Sequence, residues 1–307
     1  MSRLTTAWIK DIEGTLAEYE ADLRRKTGMG FADFVISRRS APISRHPALD
    51  TGCSNHCQRS GILDDGLPKA TPRCEGEKCS LRSLSFARND VCGDGVRVAV
   101  IPVTVGQGVI GGFANSIAAI IRHAGFNAFV TEATDVNGMY EAYANGADII
   151  FMADDKRYAA FDVNTTRRAS CNNNATALGF VTALDAMCPG GISGKNVLVM
   201  GCGIIGRLSA AELLKKNAFP IFYDKPTVAE KIHSCISNPN DISSFRYILD
   251  ATNEGGWLSN DMLHKEVYIS APGVPLSLDE NALARHGERL VHDVLHIGTL
   301  TMLGELI

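Results

Sequence analysis

One stretch of the sequence decides the fold: Val197-Leu198-Val199-Met200-Gly201-Cys202-Gly203-Ile204-Ile205-Gly206. A buried strand (residues 196–200) leads into the pattern G-x-G-x-x-G, and a helix (residues 205–216) follows. In this pattern the first glycine allows a tight turn, the second lets the backbone approach a pyrophosphate, and the third lets the helix pack on the strand. Free N–H groups at the start of the helix favour a phosphate there. We predict that a dinucleotide is bound by Gly201, Gly203, Ile204, Ile205 and Gly206.

The end of the next strand predicts which dinucleotide is bound. Residues 221–223 form a strand, and Asp224 follows it, 18 residues after Gly206. A carboxylate at this place accepts hydrogen bonds from ribose hydroxyls and repels a 2′-phosphate, so NAD is favoured over NADP. An ordinary strand–helix turn is the alternative, but the strand, the helix and the acid together favour a cofactor site. Thr252 and Pro272, each shortly after a later strand, complete the predicted NAD contacts.

Strand and helix patterns alternate along most of the chain from residue 96 onward. The predicted strands are residues 96–103, 127–130, 148–152, 247–250, 266–270 and 289–293, and the predicted helices are residues 5–26, 31–36, 113–124, 136–145, 174–187 and 299–306. Such alternation predicts parallel sheets. Pro189, Gly190, Gly191 and Gly194 mark a joint. We therefore predict an α/β protein of two domains: an N-terminal substrate domain, helical and α/β, in residues 1–190, and a C-terminal Rossmann-type parallel sheet that binds NAD in residues 191–307.

A second glycine fingerprint, Gly106-Gln107-Gly108-Val109-Ile110-Gly111, follows the strand at residues 96–103. Glu132 lies 21 residues after Gly111, so spacing alone would allow a cofactor here as well. However, Pro102 removes a hydrogen-bond donor near the end of that strand. Thr104 and Gln107 also suggest a polar loop that suits a smaller anion. We expect a substrate carboxylate at this loop, and a tight turn without a ligand is the alternative.

Two aspartates, Asp154 and Asp155, follow the strand at residues 148–152. Ligands in open α/β sheets bind beyond the carboxyl ends of strands, and an aspartate there can hold a substrate ammonium group. The alternative is a solvated turn or a helix cap, where acids are also common. Glu132 and Asp135, at the neighbouring strand end, have the same two interpretations.

Residues 40–94 differ from the rest because they are rich in Gly, Pro, Ser, Arg and Cys and show no period. Five of the nine cysteines lie there, namely Cys53, Cys57, Cys74, Cys79 and Cys92. We predict a poorly ordered surface insertion. The spacing of the first four, with His56 nearby, permits a four-ligand zinc arrangement. Nothing else supports a metal, so we predict no metal site.

Charge and hydropathy exclude several classes of protein. The 307 residues carry a net charge of −4, and no basic field exists to attract nucleic acid or an anionic membrane. The longest apolar runs are far shorter than the roughly 20 residues of a membrane span. Residues 1–10 lack the pattern of a secretory signal. We expect a cytoplasmic protein that acts on a small molecule.

Several blocks of the sequence resemble one family. They are residues 100–113 (VIPVTVGQGVIGGF), 125–131 (GFNAFVT), 149–155 (IIFMADD), 270–275 (SAPGVP) and 297–299 (IGT). Together with the fingerprint at Gly201 they resemble the pyrrolysine synthase family, dehydrogenases that form the pyrroline ring in the last step of pyrrolysine biosynthesis. The likeness covers residues 96–307 well and residues 1–37 loosely. Residues 102–108 and 152–155 carry its most specific motifs.

The resemblance implies a substrate, a cofactor and roles for residues. The substrate would be lysine with 3-methyl-D-ornithine in amide linkage on its side-chain nitrogen, and NAD⁺ would take a hydride from the carbon that bears ornithine's terminal amine. The imine would hydrolyse to an aldehyde, on which the substrate's α-amine would close to form the ring. By position, Asp154 would hold the reacting amine, Leu4 would close over the substrate and Asp224 would hold the adenosine ribose. The remaining substrate contacts would be Val103, Thr104, Val105, Gly106, Gln107 and Gly108.

Two features of the sequence differ from the family's pattern, and alternative functions remain open. Val105 stands where a small hydroxyl residue is expected, and the Cys-rich insertion has no counterpart in the family's pattern. Two other functions remain: an NAD-dependent dehydrogenase of another amino or hydroxy acid, and a non-catalytic NAD- or metal-sensing protein. We also expect a homodimer, in which the apolar C-terminal helix and the long N-terminal helix would bury surface.

Overall fold

The computed structural model of the protein describes residues 12–39, 93–105, 112–226 and 235–307. These residues belong to one compact unit. Leu4, Gly106, Gln107 and Gly108 lie outside the described residues, as does almost all of the insertion predicted at residues 40–94. Among the described helices, none is long and apolar enough to cross a membrane.

The first half of the chain forms a mixed sheet. Its elements are α1 (Ile12–Thr27), α2 (Phe31–Arg39), β1 (Gly93–Ile101), α3 (Phe113–His123), β2 (Phe126–Val130), α4 (Asp135–Ala144), β3 (Ile149–Ala153), β4 (Tyr158–Asp162) and β5 (Ala169–Cys171). The strand order is β2-β1-β3-β4-β5, in which β1 pairs in parallel with β2 and β3, whereas β3, β4 and β5 are antiparallel. The prediction of a parallel sheet is therefore wrong for β4 and β5, because the chain returns through a short hairpin instead of a helix.

The second half forms a sheet in which all strands are parallel. Its elements are α5 (Asn172–Met187), β6 (Asn196–Met200), α6 (Ile204–Lys215), β7 (Phe219–Tyr223), β8 (Cys235–Ile236), β9 (Tyr247–Asp250), β10 (Tyr268–Ala271), α7 (Glu280–His286), β11 (Leu290–His292) and α8 (His296–Leu306), with short 3-10 turns at Pro239–Ser244, Asn260–Met262 and Gly287–Arg289. The order β11-β10-β9-β6-β7-β8 corresponds to 6-5-4-1-2-3, the Rossmann arrangement. The predicted Rossmann-type sheet is confirmed.

Strand β6 is apolar because both of its faces are covered. Val197 and Val199 belong to the main core, whereas Leu198 and Met200 belong to a second core cluster on the opposite face. Successive side chains of a strand point to opposite faces, so a strand buried on both sides has no polar alternation. The carboxyl end of β6 is thereby fixed at the centre of the sheet.

Helices α5 and α8 connect the two halves. Helix α5 packs against α6 and β10 of the second half and against α8, and α8 also packs against α2, α3 and strands β4 and β5. Small residues allow these close approaches: a Cβ at Gly179 would lie 2.4 Å from Ile297 Cγ2, and one at Gly304 would lie 2.4 Å from the Val35 carbonyl oxygen. Nearly all of α8 is buried inside the chain. The expectation that this helix offers an apolar surface to a partner is wrong.

Helix α4 covers the other face of the first sheet. Val98 and Val100 of β1 point into the main core, whereas Ala99 and Ile101 form a smaller cluster with Ala142 of α4. The helix lies close to the sheet because a Cβ at Gly138 would be only 2.6 Å from Ile101 Cγ2. The face of α4 turned away from the sheet is exposed.

Candidate active site

The glycine-rich turn between β6 and α6 has the geometry that the sequence predicts. Gly201 has a positive φ of 91°, and a Cβ there would lie 2.7 Å from the carbonyl oxygen of Ala251. A Cβ at Gly206 would lie 1.8 Å from the carbonyl oxygen of Gly201, so only glycine permits this contact between helix and turn. Gly203, the N-cap of α6, faces open space and makes no side-chain cap hydrogen bond. The N–H groups of the first helical turn are therefore available to an anion.

A cleft of about 510 Å³ lies at this end of the sheet. Its lining residues are Asn173, Gly201, Gly203, Ile204, Ile205, Tyr223, Asp224, Lys225, Ala251, Thr252, Asn253, Glu254 and Trp257. The structure thus brings together six of the eight predicted cofactor residues. Gly206 is buried below the turn, and Pro272 is half-buried after β10, so neither lines the cleft. The position fits the rule that ligands bind where the strand order reverses, here between β6 and β9.

Asp224 is bound to the glycine-rich turn. Its Oδ2 accepts a hydrogen bond from the backbone N–H of Cys202 at 2.7 Å, and its Oδ1 accepts one from the N–H of Lys225 at 2.7 Å. Carboxylate oxygens carry two lone pairs each, so both can still accept from ribose hydroxyls. The side chain of Lys225 is held at the mouth of the cleft by Glu254, with a distance of 2.5 Å between Nζ and Oε1.

A buried carboxylate supports the floor of the cleft. Asp250, at the end of β9, accepts hydrogen bonds from the Thr252 hydroxyl at 2.7 Å and the Thr252 N–H at 3.1 Å, and from the hydroxyl of Ser277. Burial raises the pKa of Asp250, and these hydrogen bonds act in the opposite direction. Thr252 is therefore fixed through both its backbone and its side chain.

An aromatic wall closes one side of the cleft. The rings of Tyr223 and Trp257 stack with centroids 6.0 Å apart and an interplanar angle of 16°. The indole Nε1 of Trp257 is buried and has no hydrogen-bond partner among the described residues. A buried donor without a partner costs free energy. The open space at Gly203 and the lone pairs that Asp224 still has available fit a dinucleotide in this cleft.

The loop after β1 is held by the start of α4. Asp135 has a positive φ of 53°, and its Oδ1 accepts a hydrogen bond from the N–H of Thr104 at 2.9 Å. This hydrogen bond lowers the pKa of Asp135. Val103 is buried, whereas Thr104 and Val105 are exposed. Asp135, for which a ligand-binding and a structural role were both open, anchors the described part of the predicted substrate loop.

Asp154 lies in the hairpin turn between β3 and β4. Its Oδ1 accepts hydrogen bonds from the N–H groups of Lys156 at 2.8 Å and Arg157 at 2.7 Å. These two bonds, first that of Lys156 and then that of Arg157, lower the pKa of Asp154, which is exposed. The carboxylate is therefore anionic at neutral pH and held in a fixed orientation by the turn. It can attract a cation at the carboxyl end of β3.

Comparison with known proteins identifies the family. Residues 66–169 match a family model described as "Pyrrolysine biosynthesis protein PylD, N-terminal domain". The chain is 34% identical over 212 residues to a pyrrolysine synthase from Methanosarcina barkeri, covering 67% of this chain and 80% of the relative. A pyrrolysine synthase from Methanosarcina acetivorans is 33% identical over 216 residues, which cover 69% of this chain and 82% of that protein.

The chain belongs to the pyrrolysine synthase family.

More distant similarities are limited to parts of the chain or to the fold. An L-threonine 3-dehydrogenase from Pyrococcus horikoshii is 27% identical over 108 residues, covering 33% of this chain and 29% of that enzyme. A shikimate 5-dehydrogenase structure from Thermus thermophilus superposes with a TM-score of 0.42 and 16% identity, over 68% of this chain and 90% of that one. The Rossmann assignment of this pyrrolysine synthase family member rests instead on its own strand order and glycine turn.

Several residues that line the cleft of this family member are not predicted by its sequence motifs. Lys225, Glu254 and Trp257 line it but belong to no motif that the fingerprint defines. Lys225 could have been found because it directly follows Asp224. No sequence signal points to Asn173, which reaches the cleft because α5 begins where the first sheet ends.

Among the described residues no group of three or more His, Cys, Asp and Glu side chains could hold a metal ion. The cysteine cluster considered for zinc lies outside the described residues. His296 is buried, and its Nδ1 lies 2.6 Å from Oδ1 of Asp293 while its ring stacks on Tyr19. These contacts are those of a structural histidine at the start of α8.

Proposed function

We propose that this protein oxidises the terminal amine of 3-methyl-D-ornithyl-N6-L-lysine with NAD and so forms the pyrroline ring of pyrrolysine. The observation that carries the proposal is the 34% identity to a protein named pyrrolysine synthase over 80% of that protein's length. The cleft at the end of β6 supports the redox half of the proposal. The alternative of another amino or hydroxy acid as substrate is an outcome of the test below.

The residues that would hold NAD are those of the cleft. The N–H groups at Gly203, Ile204 and Ile205 face the pyrophosphate, Asp224 accepts from the adenosine ribose, and Thr252 lies toward the reactive ring. When bound, the nicotinamide ring accepts the hydride from the amine-bearing carbon. NAD is favoured over NADP because a 2′-phosphate would meet Asp224, while the nearby cation Lys225 is already paired with Glu254.

Asp154 would bind the end of the substrate that reacts. Its anionic carboxylate attracts the terminal ammonium group by a charge-assisted hydrogen bond. A carboxylate beside an ammonium raises the pKa of the amine, so Asp154 binds and orients this group but does not help to deprotonate it. The loop Val103 to Gly108 would contact the amino-acid groups of the substrate, and Leu4 would cover it.

For ring closure the protein needs to do little more than hold the two reacting groups of the substrate close together. After the imine hydrolyses with loss of ammonia, the aldehyde and the α-amine lie on the same molecule. Their condensation releases water and is favoured by the high effective concentration of an intramolecular reaction. In this proposal residues 1–190 form the substrate domain and residues 191–307 the NAD domain, although α8 packs against the first half. The protein would act in the cytoplasm.

The test is formation of NADH, measured by its absorbance, with the methylornithyl-lysine amide and with simple amino acids as substrates. We expect turnover with the amide and NAD, and much slower turnover with NADP. The product mass should be lower than the substrate mass by one ammonia and two hydrogens, because the water that hydrolyses the imine is released again when the ring closes. If NADH formed with a simple amino or hydroxy acid and not with the amide, that acid would be the substrate and the substrate proposed here would be wrong. Binding of NAD without turnover of any of them, together with metal in the purified protein, would favour a sensing role.

A further inference from the structure

Helix α4 carries an apolar stripe that nothing in the described residues covers. Val136 is 78% exposed, Met139 41%, Tyr140 78% and Tyr143 72%. Their spacing of three, four and seven residues puts them on one face of the helix. Four of the twelve exposed large apolar side chains among the described residues lie on this one helix of ten residues. Scattered exposed apolar residues are normal, but a contiguous patch marks an interaction site.

The apolar stripe is also free of charge. The only charged residues of α4 are Asp135 and Glu141. The Asp135 carboxylate accepts from Thr104 N–H, and the Glu141 carboxylate accepts from the N–H groups of Glu132 and Ala133, so both turn back to the chain. A neutral face can meet an identical face without like-charge repulsion. The absence of lysine and arginine on α4 makes it unsuited to an anionic membrane surface.

We propose that a second copy of this chain docks on α4, with the two helices antiparallel across a two-fold axis. This arrangement puts the start of one α4 beside the end of the other. The start is acidic, since the exposed Glu132 lies just before it. The end is basic, since the side chain of Arg97 in β1 donates a hydrogen bond to the Asn145 carbonyl oxygen there at 2.6 Å. Under two-fold symmetry Glu132 of each copy lies near Arg97 of the other, so the pairing of opposite charges occurs twice. The dipoles of the two antiparallel α4 helices also attract each other.

The area of the stripe fits the centre of such an interface. At 150–250 Å² per aromatic side chain, Tyr140 and Tyr143 expose on the order of 300 Å². With Val136 and Met139 the stripe supplies roughly half of the about 800 Å² that each partner contributes to a stable interface.

The position of α4 also suits a dimer of working subunits. None of its residues lines the cofactor cleft. The C-terminal helix α8, the other apolar helix that a dimer would use, is buried within the chain. Docking on α4 therefore leaves the cleft open in both copies.

Sedimentation of the full chain tests the proposal, with variants at Tyr140 in the middle of the stripe. We expect a dimer for the natural sequence and a dissociation constant at least tenfold higher for both Tyr140→Glu and Tyr140→Lys, because like charges meet across the axis. An equal mixture of these two variants should recover the dimer, since opposite charges then meet. Leu214→Glu is the matched control, because Leu214 is 59% exposed on α6 and lies outside the stripe, and it should not change association.

Each other outcome overturns the proposal. A monomeric natural protein excludes the second copy and leaves the stripe to another segment of the chain or another partner. Dimers that persist in both Tyr140 variants place the interface elsewhere, and failure of the mixture to associate excludes the two-fold arrangement. If the charged variants melt at a lower temperature than the control, the same comparison is made with Tyr143→Ala, which removes apolar area without adding charge. The result does not depend on substrate turnover, so it is separable from the proposed function.

Discussion

The two halves of the chain contain the same succession of elements but differ in the contacts that these elements make. In each half the first strand is largely buried and is followed by a glycine-rich segment and a helix. In the second half an acid at the next strand end, Asp224, is bonded to the glycine turn itself at Cys202 N–H. In the first half the matching acid, Glu132, is exposed, and it is Asp135 that holds the loop, at Thr104. The spacing of the motif alone does not distinguish the two glycine-rich loops, whereas the hydrogen bonds of Asp224 and Asp135 do.

The largest expected effect comes from the contact between Gly206 and Gly201. In Gly206→Ala the added Cβ meets the Gly201 carbonyl oxygen, and neither backbone can move cheaply. We expect the free energy of unfolding to fall by about 1–3 kcal/mol. NAD affinity, measured by calorimetry, should fall at least about tenfold, the equivalent of 1.4 kcal/mol.

Two matched glycine variants sharpen this test. Gly203→Ala adds a Cβ in open space, so stability should stay the same while NAD affinity falls. Gly112→Ala, in the first half, puts alanine at a φ of 79°, which costs about 1–2 kcal/mol of stability and should leave NAD affinity unchanged. If Gly112→Ala weakened NAD binding and Gly203→Ala did not, the two loops would have the opposite roles.

Asp154 of the first half should affect catalysis without affecting the cofactor. In Asp154→Asn the side-chain oxygen can still accept from Lys156 and Arg157, so the turn is retained, but the charge is lost. We expect kcat/KM for the amide substrate to fall roughly ten- to a hundredfold, the worth of a charge-assisted hydrogen bond. Asp155→Asn is the control and should leave kcat/KM unchanged. Equal activity of both variants would remove Asp154 from the substrate site.

A pH dependence of stability is expected where α8 returns to the first half. Burial alone would raise the pKa of Asp293, but the charge and hydrogen bond of His296 and the N–H groups of Ile297 and Leu295 lower it to about 2. Because the unfolded pKa is higher, near 4, ionised Asp293 stabilises the fold above that pH, and this contribution is lost as the pH falls from about 4 to about 2.

Urea unfolding of the natural protein and of Asp293→Asn should show this window. The natural protein should be more stable by about 2 kcal/mol at neutral pH. The difference should shrink as the pH falls through the window, because asparagine does not titrate there. A difference that stays constant down to the acid end would mean that His296 and the backbone do not hold Asp293 ionised.

The smallest expected effect distinguishes the two acids that follow the second strand of each half. Asp224→Ala removes the acceptor at Cys202 N–H and the ribose contact proposed for Asp224, so NAD affinity should fall about tenfold and the preference for NAD over NADP should narrow. Glu132→Ala, the matched change in the first half, should leave both quantities unchanged. Equal effects of the two variants would contradict the different roles of the two halves.

The sequence predicts the second half better than the first. Val197 to Met200 are buried on both faces, and the resulting apolar run followed by glycines is a strong signal of a central parallel strand. The hairpin β4–β5 was missed because Ala159, Ala160 and Ala169 have little strand preference. These residues become strands only by pairing with β3, a contact that no local pattern records.

The candidate site follows the same division. Gly201, Gly203 and Asp224 were predicted because their roles depend on local spacing, and they do line one cleft. Trp257 and Asn173 join that cleft through loops and helices whose positions depend on packing. Likewise, the periodicity of α4 predicts a helix. It does not predict that the apolar face turned away from the sheet stays exposed, because that depends on whether another element packs over α4.

The burial of α8 between α2, α3 and α5 affects how the chain is made. During synthesis, about 120 residues are added between the end of α5 at residue 187 and the end of α8 at residue 306. At roughly 5–20 residues per second this is a delay on the order of ten seconds. During that time the first sheet and α5 expose to the cell the apolar surface that α8 later covers. Newly made chains should therefore depend on chaperones until α8 docks.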